Sequence, residues 1–396
     1  MSLFFREQAF FFWRKHEMED MKMKIHTLPS GDEVHRFDYN IVIPFQGKRR
    51  VLSTSPYNGG YRTDLTTVFN HDGNPGVGCP STMKAKTFRE HMMKTIQEIG
   101  LDLDTTTGME TAAHMENVAI HTETYEELAV TAIVTGGIEV NGGRVGDPAA
   151  WIEKGDVPQE YRLGTINIFL CINADLAEGA MARALVTCTE AKTTAVQELL
   201  AESHYSRGLA TGSGTDSTIV VANMESPLYL TNGGKHSKLG ELIGRAVKPA
   251  VKQALFLQTG LGPRQQHNAV RRLSRFGVSE AGIFFRYQNL EKEGEKNTIR
   301  RPVFSDFLER IERRSDIVTN ASFLAHAMDQ MDWGMLEVKE TVEAASRILC
   351  SMGMENDLVA EEIHTADEAV TAIVDGFEKT MVKAVLTAFE EKYGTH

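Results

Sequence analysis

Residues 164–257 constrain the fold of this chain most, because short apolar strands alternate there with long amphipathic helices. Residues 164–172 form an apolar run that indicates a buried strand, and residues 178–200 repeat apolar side chains at the 3.6-residue helical period. A second strand is predicted at 217–222 and a second helix at 238–257, with glycine-rich turns between them. Such alternation favours a β-sheet core that is covered by helices.

The predicted class is α+β, with a mixed β-sheet core, in one sheet or two, covered by helices and followed by a mostly helical C-terminal region. A single doubly wound sheet is the alternative. Residues 37–54 predict two strands joined by a turn at 46–48. A helix is expected over 82–99, and further strands at 116–122 and 128–135.

The chain changes character after Gly262-Pro263. Helical periodicity dominates the C-terminal part, over residues 303–314, 321–331, 336–352 and 366–393. At the other end, an aromatic stretch interrupted by charges predicts a short amphipathic segment. We therefore expect three parts: an N-terminal amphipathic segment, a central domain, and a linker with a helical C-terminal domain of unknown role, at residues 1–30, 31–262 and 263–396.

The composition of the chain argues against several classes of protein. The chain carries 42 Lys and Arg against 54 Asp and Glu, a net charge of −12, which disfavours general binding to nucleic-acid backbones. No apolar run approaches the roughly 20 residues that span a bilayer, and no secretory signal peptide is recognised. The four cysteines form no C-x-x-C pair. A cytoplasmic location with free thiols is expected, without a membrane span or a nucleic-acid partner, and a homo-oligomer is compatible with the sequence.

Familiar catalytic motifs are missing. Gly234-Lys235 lacks the earlier glycine of a phosphate-binding loop, and Ser213 lacks the first glycine of a nucleophile elbow. His114, Glu116 and His121 are a conceivable metal set, although surface polar residues are the more common interpretation. No cofactor is evident, and a metal requirement stays open.

Several polar, glycine-flanked clusters are the remaining candidates. Asn141-Gly142-Gly143-Arg144 offers backbone N–H donors and a guanidinium, and is expected to be a loop. Asn167 lies inside an apolar strand, where a buried amide needs hydrogen-bond partners. On the predicted helix 178–200, Arg183, Thr187 and Glu190 share one face and Lys192 follows. Each cluster also has an ordinary structural interpretation, as a turn, a buried hydrogen bond or an ion pair.

Two loops carry the richest chemistry. Residues 211–217 read Thr-Gly-Ser-Gly-Thr-Asp-Ser, which supplies hydroxyl nucleophiles, backbone N–H groups for an oxyanion and the Asp216 carboxylate. Residues 233–237 read Gly-Gly-Lys-His-Ser, with Glu241 close behind. A histidine in this setting is a candidate general base or acid near neutral pH. Together the clusters predict a hydrolase or transferase that acts on a carbonyl.

In their order along the chain, these blocks resemble the adenosylcobinamide amidohydrolase family. The resemblance spans about residues 35–260 and rests on six blocks of sequence, at residues 141–147, 164–168, 179–183, 189–193, 210–216 and 234–244. At Ser213 the family usually has threonine, a change that keeps the hydroxyl. Residues 1–30 and 263–396 lie outside the resemblance.

The resemblance implies an amidohydrolase of corrinoid salvage for cobamide biosynthesis. Such an enzyme cleaves the amide between a corrin propionate and the aminopropanol arm of adenosylcobinamide, giving adenosylcobyric acid and 1-amino-2-propanol. The cobalt corrinoid is then a small-molecule substrate and not a cofactor. The central domain, residues 31–262, would carry this activity.

Our hypothesis for the catalytic roles follows from what amide hydrolysis requires. His236 would activate water or a hydroxyl, Glu241 or Asp216 would orient it, and the backbone of 212–215 would hold the oxyanion. Thr215 is the first candidate for a covalent nucleophile and Ser213 the second. The remaining candidates are assigned to substrate binding: Asn58, Asn141, Arg144, Asn167, Arg183, Glu190, Lys192, Gly212, Gly214 and Lys235.

Two other functions stay open at this point. A hydroxyl-nucleophile amidase for small peptide-like amides would use the same loops without any preference for corrinoids. A non-catalytic corrinoid-binding module would bind the ligand tightly and release no aminopropanol.

Overall fold

The computed structural model describes residues 23–74, 83–149, 164–292, 299–353 and 358–394. Most of the predicted N-terminal amphipathic segment therefore lies outside the described part of the chain. The glycines and prolines at 70–80 predict a loop; its residues 75–80 also lie outside the described part, whereas residues 70–72 belong to a strand and not to a loop.

The chain forms two compact units. The first contains the described residues up to Tyr205 together with Leu209–Gly262, and the second contains Ser206–Gly208 and the residues from Pro263 onward. Their cores are built from separate sets of residues: the clusters of the first unit end at Leu261, and the cluster of the second begins at Ala269.

Short strands dominate the first unit. They are β1 (Met23–Thr27), β2 (Glu33–Phe37), β3 (Asn40–Pro44), β4 (Arg49–Ser53), β5 (Gly60–Arg62), β6 (Thr67–Asp72), β7 (Thr106–Thr111), β8 (Ala119–Tyr125), β9 (Leu128–Gly137), β10 (Gly142–Gly143), β11 (Thr165–Ile172), β12 (Asp175–Leu176), β13 (Gly212–Ser213), β14 (Ser217–Asn223) and β15 (Tyr229–Leu230).

Among the described residues, three α-helices of at least eleven residues accompany these strands, and the other α-helices belong to the second unit. The helices are α1 (Phe88–Glu98), α2 (Glu178–Glu198), α3 (Lys238–Thr259), α4 (Pro263–Gln266), α5 (Ala269–Leu273), α6 (Glu280–Lys292), α7 (Arg301–Ile311), α8 (Ser315–Asp332), α9 (Val338–Ser351) and α10 (Ala366–Tyr393). Among the described residues, no helix combines the length and the apolar character needed to cross a bilayer.

Two large mixed sheets form the first unit. One has the order β1-β2-β3-β6-β7 and the other the order β5-β4-β14-β11-β9-β8. In the first sheet β6 and β7 are parallel, and in the second β11 and β14 are parallel, while the other neighbours are antiparallel. The observed architecture therefore confirms the α+β class and the two-sheet form of it, and it excludes a single doubly wound sheet.

The two sheets and their helices make four layers. On β11, Ile168 and Leu170 face the helices α2 and α3, while Phe169 and Cys171 face the other sheet. Because both faces of this strand are covered, its last five residues, 168–172, are a continuous apolar run. On the outer face of the five-stranded sheet, Phe69 and its neighbours pack against α1.

One further local prediction is wrong, and one connection between strands takes a path that the sequence does not indicate. The strands predicted at 37–54 form, as β3 and β4, but they do not pair with each other: β3 pairs with β2 and β6, whereas β4 pairs with β5 and β14. The connection between them crosses from one sheet to the other. Residues 141–148 are also not entirely loop, since Gly142 and Gly143 pair with Ser213 and Gly212.

Most predicted helices lie close to their observed positions, but α8 begins at Ser315, six residues before its predicted start. The predicted linker after Gly262 is itself largely helical, since it contains α4, α5 and α6. Strong apolar periodicity places α2, α3 and α10 within a few residues of their observed ends. The helix expected over 82–99 is shorter and begins at Phe88, where the Thr87 side chain accepts a hydrogen bond from the N–H of Glu90.

Candidate active site

A cleft of about 210 Å³ opens where the two sheets of the first unit meet. One wall is residues 108–112 at the end of β7, which is an edge strand of its sheet. The opposite wall is residues 164–165 and 215–217, at the starts of β11 and β14. Parallel pairing of these two strands in the register Asn167↔Ser217 brings their first residues side by side.

Asp216 organises the loop 211–217 at this cleft. Its Oδ1 accepts hydrogen bonds from the N–H of Ile166 (2.9 Å) and the hydroxyl of Ser213 (2.8 Å). Its Oδ2 accepts from the N–H of Ser213 (3.1 Å) and forms an ion pair with Lys192 of α2. A Cβ at Gly212 would collide with both partners of this ion pair, so glycine is required there. The structure thus brings together four of the predicted site residues.

Thr215 lies at the exposed tip of the same loop, after the equally exposed Gly214. Its hydroxyl donates to the carbonyl of Gly164 (2.7 Å), and Thr165 donates to the carbonyl of Thr215 (2.7 Å). The N–H groups of Ser213 and Thr215 are engaged inside the loop, by Asp216 and by the Ser213 hydroxyl. In this conformation these two N–H groups are not directed at an oxyanion.

Two predicted amide side chains support the cleft from behind. Asn167 is buried, and its Nδ2 donates to Asn70 Oδ1 (2.7 Å) and to the Glu110 carbonyl (2.9 Å). This contact joins the two sheets beneath the cleft. Asn141 is also buried, and its Nδ2 donates to the Gly164 carbonyl (2.6 Å). Because both side chains are hydrogen-bonded to the protein, we interpret Asn141 and Asn167 as residues that stabilise the cleft walls.

Asn58 and Arg144 also contact the protein. Asn58 adopts a left-handed backbone conformation (φ 50°), and its side chain donates to the carbonyls of Leu103 and Thr106. Arg144 donates through Nη1 to the Leu209 carbonyl (3.3 Å). Neither residue lines the cleft.

The other predicted residues form a second cluster around α2 and the start of α3. Lys235 pairs with Glu190 (3.0 Å), and Glu241 pairs with Lys238, whose hydrogen bond lowers the pKa of this glutamate. Arg183 and His236 are exposed. None of the predicted residues in this cluster lines the cleft. His236 does not line the cleft, and the catalytic role of this histidine stays a prediction.

Close packing explains the glycines of that second cluster. A Cβ at Gly240 would collide with the Gly234 carbonyl, and Thr187 donates to the carbonyl of Gly233 (2.8 Å). The Ser237 hydroxyl caps α3 by accepting from the N–H of Gly240 (3.1 Å). The loop before α3 is thus a tightly fitted helix start.

A carboxylate–imidazole pair that the sequence did not reveal lies at the cleft. Glu110 lines the cleft, and its Oε2 lies 2.5 Å from Nε2 of the buried His91. His91 Nδ1 accepts from the N–H of Lys84 (2.9 Å), so the imidazole proton is on Nε2 and is donated to Glu110. The sequence feature that could have indicated this pair is a histidine on the buried face of α1, among apolar neighbours.

His71 lies beside this pair. It is directly opposite Glu110 in the β6–β7 register, and its Nδ1 lies 2.9 Å from Asn40 Oδ1. Burial lowers the pKa of His71 to about 4, although the nearby Glu110 carboxylate acts in the opposite direction. His71 is therefore neutral at physiological pH.

The metal set considered from the sequence does not converge. His114 Nδ1 contacts Asp72 Oδ2 (3.0 Å), whereas His121 Nε2 contacts Gln253 (2.6 Å). Burial raises the pKa of Asp72. Across the described residues, no three His, Cys, Asp or Glu side chains are arranged to hold a metal ion.

Comparison with known proteins places the first unit in a family. A crystal structure of a Pyrococcus horikoshii protein is similar over 60% of this chain and 83% of its own, but the 11% identity and TM-score of 0.26 support no argument. An uncharacterised protein of Methanocaldococcus jannaschii is 35% identical over 254 residues, which are 61% of this chain and 96% of that protein. The profile of the family described as adenosylcobinamide amidohydrolase matches residues 25–263. The chain belongs to the adenosylcobinamide amidohydrolase family.

Proposed function

We propose that this protein hydrolyses the amide between the corrin propionate and the aminopropanol arm of adenosylcobinamide, in corrinoid salvage for cobamide synthesis. The products are adenosylcobyric acid and 1-amino-2-propanol. Family membership supports amide hydrolysis as the reaction class. We place the reaction in the cleft between the two sheets, because a carboxylate, several hydroxyls and a charged loop meet there.

The size of the cleft favours entry of the aminopropanol arm of the substrate without the corrin ring. Its volume is about 210 Å³. Sites that enclose a drug-sized ligand measure roughly 300–1,000 Å³. A corrin ring is larger than such ligands, so the macrocycle would rest on the rim while the amide of its arm enters.

The edge strand β7 supports recognition of an amide. Five consecutive residues, 108–112, line the cleft, and within the described residues β7 has a sheet neighbour on one side only. An edge strand presents N–H and C=O groups outward, and such groups complement the N–H and C=O of an amide. The carbonyls of Glu110 and Ala112 already accept from Asn167 and Asn74, so they are not among the groups proposed to bind the substrate. A Cβ at Gly108 would collide with the Phe69 ring. Gly108 therefore contributes only backbone atoms to the lining of the cleft.

The direct test is incubation of the purified protein with adenosylcobinamide, followed by mass spectrometry. We expect adenosylcobyric acid and 1-amino-2-propanol in equal amounts. N-(2-hydroxypropyl)propanamide, which has the arm without the ring, is the control. Equal turnover of this small amide would favour the general amidase, and tight corrinoid binding without amine release would favour the binding module.

Two variants locate the active site. Thr215→Ala changes the cleft wall, and His236→Ala changes the exposed second cluster. We expect lower turnover in the first and nearly unchanged turnover in the second. The reverse result would place catalysis at His236, as the sequence hypothesis has it, and would exclude the cleft.

A further inference from the structure

We infer that Glu110 is the general base and general acid of the cleft and that His91 positions it, an inference that rests on the proposed amide hydrolysis. Glu110 is partly buried, with 17% of its side chain exposed, and it lines the cleft. A carboxylate in such a place can exchange a proton with a bound water and still be shielded from bulk solvent.

The two oxygens of Glu110 have different surroundings. Oε2 is held by His91, which is itself fixed by the backbone N–H of Lys84. Oε1 has no hydrogen-bond donor among the described residues and lies next to Gly73, another residue of the cleft wall. A Cβ at Gly73 would collide with the carboxylate. One oxygen is therefore anchored, and the other is available to a molecule in the cleft.

Other carboxylates near the cleft lack this arrangement. Both oxygens of Asp216 are occupied, by Lys192, Ser213 and the N–H of Ile166. Asp72 accepts from the N–H of Asn74 and contacts His114. Glu110 is thus the carboxylate of the cleft lining with an oxygen left for substrate or water.

The proposed reaction needs water as its only co-reactant. Glu110 takes a proton from water while the water oxygen bonds to the amide carbon, and the carbonyl π pair moves onto the carbonyl oxygen. When this tetrahedral species collapses, the C–N bond breaks and Glu110 returns the proton to the departing nitrogen. The products are a carboxylic acid and an amine, which then exchange a proton with solvent.

His91 acts through Glu110. Its neutral imidazole donates one hydrogen bond to Oε2, which holds the carboxylate at the cleft wall without neutralising it. The ring of Phe88, which also lines the cleft, lies 5.9 Å from the imidazole centroid and covers it. A change at His91 should therefore alter the pH profile of turnover and not merely the amount of folded enzyme.

The test compares Glu110→Gln with wild type on adenosylcobinamide, measuring kcat, the pH profile and corrinoid binding by equilibrium dialysis. The substituted amide still offers a carbonyl oxygen that accepts from His91, so the fold should persist. General acid–base catalysis contributes about 100-fold to 10,000-fold, so we expect kcat to fall at least about 100-fold while Kd changes less than about threefold. The control is Glu123→Gln, which removes a strand carboxylate paired with Arg245 outside the cleft.

Two further variants keep the inference testable if Glu110→Gln unfolds. Gly73→Ala leaves Glu110 in the chain but displaces its carboxylate, and we expect kcat to fall about tenfold or more with little change in Tm. His91→Asn should shift the acidic limb of the pH profile. Turnover by Glu110→Gln or Gly73→Ala near that of wild type overturns the inference alone, whereas no turnover by wild-type protein overturns the proposed function.

Discussion

At the scale of single residues, one buried ion pair links the two sheets of the first unit. Arg49 at the start of β4 makes a two-pronged contact with Asp32, in the turn before β2, at 2.8 and 2.9 Å. Both side chains are almost fully buried, and Arg49 also donates to Asn223 of β14. Every charge in this cluster is satisfied by a partner, as a low-polarity interior requires.

Removing one partner of the Arg49–Asp32 ion pair should destabilise the folded protein. Arg49→Met leaves the Asp32 carboxylate buried without its cation, and we expect the free energy of unfolding to fall by about 3 to 5 kcal/mol. Adding Asp32→Asn in the same chain removes the lone charge and should recover part of the loss. Urea denaturation of both variants checks this, and a loss below about 1 kcal/mol in Arg49→Met would contradict it.

His71 makes stability depend on pH. Its pKa is about 4 in the folded protein and 6.5 ordinarily, so the unfolded chain binds a proton over this range and the folded one does not. The stability from neutral burial is therefore complete above about pH 6.5 and is lost as the pH falls toward 4. The loss is on the order of 3 kcal/mol.

The measurement is urea denaturation of wild type and His71→Asn between pH 4 and 7. Asparagine keeps a donor for Asn40 but does not titrate, so the variant should lose less stability on acidification. Parallel pH curves for the two proteins would show that His71 is not the group responsible.

At the scale of elements, the two glycines of α3 have different roles. The sequence suggests that Gly240 and Gly244, four residues apart, form one flat face for close packing. Only Gly240 is packed closely, against the Gly234 carbonyl, whereas a Cβ at Gly244 would meet nothing within 4 Å. Spacing alone does not reveal which glycine of such a pair lies against another segment.

This difference gives a matched pair of variants. Gly240→Ala should destabilise the protein by more than about 1 kcal/mol, because the loop before α3 has to shift. Gly244→Ala should stabilise it by about 0.5 to 1 kcal/mol, since alanine favours helix and no contact is lost. Thermal unfolding monitored by circular dichroism compares them, and equal effects would contradict the observed packing.

The sequence predicts the positions of helices and strands best where the apolar periodicity is strong. Helices α2, α3 and α10 each contain several turns of apolar repeat, and their bounds follow from it. Strands β3 and β4 lie within three residues of the predicted bounds, but the sequence did not indicate which strands they pair with. A short turn between two strands normally makes a hairpin, and the local sequence does not show that the chain here passes between sheets.

At the scale of the whole molecule, the two units have separate hydrophobic cores. The core of the second unit includes Phe304, Leu324 and Phe377, and none of the clusters of the first unit extends past Leu261. A separate core is the usual condition for independent folding. The cleft lies within the first unit, and the family match, over residues 25–263, covers nearly the same residues as that unit.

We therefore expect a chain that ends at Gly262 to fold and to retain turnover within about threefold. The core of this unit is not shortened by the truncation, so unfolding should stay cooperative. Calorimetry and the adenosylcobinamide assay, both against the full chain, check the prediction. A non-cooperative transition would show that the first unit depends on residues beyond 262.

The family, the fold class and the hydroxyl-rich loop with Asp216 followed from the sequence, because blocks of residues and the periods of helix and strand are local properties. The meeting of Glu110 with that loop did not follow, since the two are about a hundred residues apart and come together only through strand register and the stacking of two sheets. The same packing placed the glycines before His236 against the first turns of α2, whereas the loop with Asp216 contacts Lys192 further along that helix. Which polar residues share a site is decided by tertiary structure, because contacts between distant segments leave no period in the chain.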